Sequence, residues 1–88
     1  MTTKTPSSVR PAQASSQEAI AYACVKNIPT VEPHDQDRLG YNLWRWLAKR
    51  KDPLEMAVRS AGSRLLISEA EAIQRIRENL ERYGIKVD

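Results

Sequence analysis

Apolar residues recur at helical spacing in four separate stretches, each bounded by residues that start or stop a helix. In Arg38–Lys51, Leu39, Leu43, Trp46 and Leu47 fall at i, i+4, i+7 and i+8, the spacing of one helix face. Asp35 or Asp37 supplies the N-cap of this helix. Gly40 costs the helix up to about 1 kcal/mol relative to alanine, which predicts close packing or a frayed first turn. An earlier helix is predicted from Ser15, where S-S-Q-E has the capping-box form, to about Asn27, with Pro29 forbidding continuation. Ala19, Ile20, Ala23 and Cys24 mark its apolar face.

Two further helices follow. In Asp52-Pro53-Leu54-Glu55, Asp52 reads as N-cap, Pro53 as first helical residue and Glu55 as the box partner. Leu54, Ala57, Val58 and Ala61 then form a stripe that Gly62 stops. Ser68-Glu69-Ala70-Glu71 repeats the capping logic for a helix that buries Ile73, Ile76, Leu80 and Tyr83. Gly84 suits its C′ position, with Ile85 touching Leu80. Ile28–His34, with two prolines, should run extended, anchored by Ile28 and Val31. Leu65-Leu66-Ile67 is either a connector plugged into the core or a brief strand. The predicted fold is all-α, a small bundle of about four short helices with a disordered N-terminal tail. The tail is residues 1–14, rich in Thr, Ser and Pro and too poor in apolar surface to offset the entropy of ordering it; residues 15–88 form a single helical domain.

A domain this small sits near the lower size at which one core is self-sufficient, so homodimerisation or burial against a partner is expected. The net charge is +3, and its distribution is uneven: residues 1–34 carry +1, residues 35–66 carry +3 and residues 67–88 carry −1. The positive excess is therefore central, which admits nucleic acid, an anionic membrane or an acidic protein as partner. Cys24 and His34 are the only residues of their kinds, so neither an intrachain disulfide nor a conventional metal centre is expected, and nothing implies a cofactor. No run approaches the length of a membrane span and no signal-peptide core is evident, so membrane insertion is not expected and the cytoplasm is the default location.

The second helix carries the main binding signal. Arg38, Asn42, Arg45 and Lys49 repeat at i, i+4, i+7 and i+11 beside the apolar stripe, and the segment ends Lys49-Arg50-Lys51. Phosphate or base contacts are expected from these residues, with Arg59 and Arg64 adding backbone contacts. Trp44 and Trp46 point about 200° apart on a straight helix, so one core cannot easily hold both. Trp46 is expected to pack inward, and Trp44 to look outward beside Tyr41, where an exposed aromatic pair has the composition of a protein-interface anchor or of a stacking platform.

Other motifs carry less. A helix-turn-helix built from Ala57–Ala61, Gly62 and Ser68–Tyr83 has too long a connection and places Glu69 and Glu71 where groove-entering residues belong. Leu65-Leu66-Ile67-Ser68-Glu69-Ala70-Glu71-Ala72 resembles the opening of excisionase and MerR-type DNA-binding domains. The basic second helix and wing of those domains have no counterpart here, so no function is carried over from the likeness. Catalysis has little support: Cys24 lies on an alanine-rich face that reads as core, and Glu69 and Glu71 diverge on their helix. The expectation is a small non-enzymatic regulatory protein that binds nucleic acid through the basic, aromatic-flanked helix of residues 38–51. The alternative is a protein-binding regulator or inhibitor anchored by Tyr41 and Trp44.

Overall fold

A computed structural model describes residues 10–87, with side chains from Ser16 onward. Four helices follow in order: α1 (Arg10–Cys24), α2 (Pro33–Lys49), α3 (Leu54–Ala61) and α4 (Glu69–Arg82). Among the described residues there is no strand, only an isolated antiparallel bridge between Thr30 and Leu65. Successive helices pack against one another and α1 also meets α4, which closes the bundle around one core.

Helix α1 begins at Arg10, so Ser15 lies inside the helix rather than at its cap, and Arg10–Ala14 belong to the helix. The remaining tail residues, 1–9, lie outside the described residues. The buried face of α1 is turned from the expected one. Ala21, Cys24 and, just beyond the helix, Val25 and Ile28 are buried, while Ala19 is exposed. The two residues past the helix end set this orientation, because Val25 and Ile28 are larger than any alanine on the helix and gain more on burial. Two carbonyls at this end are capped from α4: the buried Asn79 donates Nδ2 to the Cys24 carbonyl (2.7 Å), and Arg75 Nη1 donates to that of Asn27 (2.9 Å).

The N-cap position of helix α2 lies three residues before the nearer of its candidate capping aspartates. Glu32 is the N-cap, Pro33 takes the first turn, and Asp35 sits three residues after the cap, where its Oδ2 accepts the Glu32 N–H (3.0 Å). Leu39, Leu43 and Leu47 fill the core from α2, with Asp35 and Gly40 also buried. Gly40 is explained by close approach. A Cβ built there would lie 2.5 Å from Cδ1 of Tyr22, so the α1–α2 crossing tolerates no side chain at this position.

In α3 the stripe Leu54, Ala57, Val58 and Ala61 is buried as its spacing predicts. The cap is shifted by one residue: Pro53 is the N-cap and Asp52 lies outside the helix. Gly62 closes α3 at φ 65° with its N–H on the Arg59 carbonyl. Helix α4 opens with Ser68 Oγ accepting the Glu71 N–H (3.1 Å). It closes as a Schellman turn, in which Gly84 N–H reaches the Glu81 carbonyl and Ile85 N–H the Leu80 carbonyl, with Gly84 at φ 78°. Tyr83, expected in the α4 core stripe, is exposed, and Asn79 with Ala72 fills that face instead.

The Thr30–Leu65 bridge joins the two connecting segments: Val31 N–H donates to the Arg64 carbonyl and Leu66 N–H to that of Pro29. The alternation of this bridge turns Leu65 and Ile67 toward the core and leaves Leu66 exposed. Ile28 anchors its segment, whereas Val31 is exposed, so one of the two expected anchors holds.

Candidate nucleic-acid interface

The C-terminal half of α2 and its turn into α3 form a shallow groove of about 360 Å³. Arg45, Lys49 and Lys51 bring three positive charges to its wall, and Asp52 brings one negative charge. The half-buried Trp46 and the exposed Met56 contribute apolar surface. Arg45 and Lys49 stand one helical turn apart on α2, which puts them on the same face. Lys51 joins them because the chain leaves the helix abruptly after Lys49.

That exit is set by Arg50, which closes α2 in the left-handed region at φ 53° with its N–H on the Trp46 carbonyl. A non-glycine residue there costs roughly 1–2 kcal/mol. Two contacts of its side chain offset the cost. Its guanidinium lies over the Trp46 ring at 4.9 Å from the centroid, and its Nη2 donates to the Lys86 carbonyl. Trp46 Nε1 in turn donates to the backbone carbonyl of Asp52 (2.6 Å), folding the turn back over the ring. The Asp52 carboxylate has no ion-pair or hydrogen-bond partner among the described residues.

The other sequence-predicted residues are distributed differently. Asn42 lines the groove, but its Nδ2 donates to the Ala57 carbonyl (3.1 Å) and ties α2 to α3. Arg59 is paired with Glu69 (Nε–Oε2 2.8 Å) and Arg64 with the buried Asp35 (Nη2–Oδ2 3.1 Å). Arg38 lies toward the start of α2, its Nη1 near Gly62 and away from the groove. Tyr41 is exposed and meets Trp44 edge-on, with centroids 6.1 Å apart and planes at 81°. The Arg45 guanidinium lies 5.8 Å from the Tyr41 ring centroid. Trp44 and Trp46 are both half-buried, so the pair divides its burial instead of sorting into one core and one surface residue.

Sequence reasoning placed Trp46 in the core stripe and did not assign Asp52 or Met56 to a site. The signal for Trp46 was present in its 200° offset from Trp44, but its indole donor required a partner that only the α2–α3 turn provides. The sequence makes Asp52 a helix cap; with the cap one residue later, its side chain is free to line the groove.

Elsewhere the titratable groups serve the fold. Burial pushes the Cys24 thiol up to about 11, leaving it protonated near neutral pH, and it is fully enclosed. His34 sits exposed on the first turn of α2, 3.9 Å from Asp35. No group of three or more potential metal ligands occurs among the described residues, and none of their helices is long and apolar enough to cross a membrane. No protein-family model, no curated protein and no solved structure matches the chain.

Proposed function

We propose that this protein binds nucleic acid through the α2–α3 groove and acts as a small regulator. One observation carries the reading: Arg45, Lys49 and Lys51 share one groove with no ion pair among the described residues, while Arg59, Arg64, Arg75 and Arg77 are each paired. Unpaired cations grouped on one surface release counterions when they meet phosphates, which supplies affinity without any particular base sequence. Their long stems also let the charges follow a ligand surface.

The test is fluorescence polarisation of labelled nucleic acid with the wild-type chain and with Arg45→Glu/Lys49→Glu, over salt from about 50 to 300 mM. Wild type should bind at low salt and lose affinity steeply as salt rises. The double reversal should abolish binding while circular dichroism shows unchanged helicity, because both side chains are exposed. Asp52→Asn should strengthen binding by removing the one negative charge in the groove, and it keeps the backbone carbonyl that Trp46 uses. Equal affinity across the three proteins would refute the proposal.

A second reading draws on Tyr41, which is 46% exposed beside Trp44 and is an anchor of the kind that protein interfaces favour. In this reading a protein partner, or a second copy of the chain, covers that pair. Tyr41→Ser should weaken such an interaction with little effect on melting; unchanged complex formation and sedimentation would count against it.

A further inference from the structure

Resting on the nucleic-acid reading, we infer that the ligand of the α2–α3 groove is a duplex gripped by its phosphodiester backbone, with no base stacked in the groove and none read. The groove's own side chains are already engaged with one another. Stacking a base needs an open ring face. The Trp46 ring is covered by the Arg50 guanidinium at 4.9 Å, is packed against the core, and has committed its N–H to the Asp52 carbonyl. Farther along α2, Trp44 is half-buried against the core, and Tyr41 has the Arg45 guanidinium at 5.8 Å and Trp44 beside it in a T-shaped pair. A base stacking on the covered face of either ring would have to displace an arginine that this chain supplies itself.

Reading a base edge needs a side chain free to aim its donors or acceptors into a groove, arginine on guanine being the commonest case, and the Arg45 guanidinium is held against the Tyr41 ring. Asn42 is the only carboxamide lining the groove, and the hydrogen bond from its Nδ2 to the Ala57 carbonyl holds it against α3. What remains is Lys49, Lys51 and Arg45. The two lysines are compact charges on flexible stems, suited to following the phosphates of a backbone. A duplex is the ligand that rewards such a set. It carries one charge per roughly 1.7 Å of its axis, so each cation releases more counterion there than on a single strand, which has no stacking platform here to compensate.

The experiment uses the full chain at low salt against two blunt DNA duplexes of equal length and unrelated sequence, the matching single strand, and an RNA duplex. Polarisation and intrinsic tryptophan fluorescence are read together. The two DNA duplexes should bind alike, within about twofold, whereas a base-reading site loses at least about fivefold for each wrong base pair. The single strand should bind several-fold more weakly. The slope of log affinity against log salt should lie near −2.7, about −0.9 for each of three neutralised phosphates. The ratio between DNA and RNA duplexes assigns the source of the backbone, and binding of either upholds the inference. A single strand that binds better than the duplexes and quenches the tryptophans overturns it, as does a tenfold or larger preference between the two DNA sequences; both outcomes leave nucleic-acid binding itself standing. Absence of binding to every probe at about 50 mM salt removes both readings together.

Discussion

Gly40 shows most directly how a single position is decided by its neighbours. On propensity alone, alanine there should stabilise α2 by up to about 1 kcal/mol. The added methyl would lie 2.5 Å from Cδ1 and 2.7 Å from Cε1 of Tyr22, and forcing extra volume into a packed contact costs roughly 1–3 kcal/mol. Gly40→Ala should therefore lower the melting temperature by several degrees, read by circular dichroism. Combining it with Tyr22→Ala should recover part of the loss beyond additivity, as contacting residues do in a double-mutant cycle. Arg50 is the complementary case: nothing in its local sequence marks a left-handed residue, and its conformation is sustained by the Trp46 ring and the Lys86 carbonyl, the latter from the far end of the chain. Gly40 was legible as an anomaly that needed a reason; Arg50 was legible only as one charge in a basic run.

At the scale of elements, α3 and α4 follow their apolar spacing closely, α1 is turned about its axis from the expected face, and the other departures occur mainly at helix ends. All four apolar positions of α3 and three of the four in the α4 stripe are buried where periodicity places them. Caps move by a residue or more because the packed orientation of each helix decides where the chain enters it, whether or not the residue there can cap through its side chain. Pro53 replaces Asp52 in this way, and Glu32 replaces the aspartates of α2. The end of α1 depends on another helix altogether. Asn79, buried in the bundle, donates to the Cys24 carbonyl and to Asn27 Oδ1 (2.9 Å), joining α4 to the end of α1. Asn79→Ala leaves that carbonyl buried without its donor and should cost about 1–3 kcal/mol in denaturant unfolding. A loss no larger than that of an exposed substitution such as Glu78→Gln would show that the cap contributes little. No sequence pattern announces Asn79, because an asparagine at a core position of a helix becomes intelligible only once its acceptor is known.

For the molecule as a whole, Asp35 ties the separate segments together. Its side chain is 1% exposed. Its carboxylate accepts from Glu32 N–H and pairs with Arg64, and its carbonyl accepts from the Ser63 hydroxyl. Burial alone would raise its pKa; the Arg64 contacts and the Glu32 amide outweigh burial and hold the carboxyl below its usual 3.8. A carboxyl depressed on folding contributes stability that is complete above its unfolded value and is lost as pH falls through the folded one. Melting temperature should therefore drop below pH 3.8, and Asp35→Asn should melt lower at neutral pH and lose part of that acid dependence. Thermal melts from about pH 6 down to about pH 3 check the sign. By itself the sequence determined the all-α class, the number and order of the helices, most of the core and the central excess of positive charge. Those properties follow from periodicity, stop signals and composition, which are local. The tertiary structure decided which cations stay free, which pair with carboxylates, which ring faces are covered and where Asp35 and Asn79 find their partners. Each of those depends on groups far apart in the chain meeting at one place, and distance in space is not written in the spacing of residues.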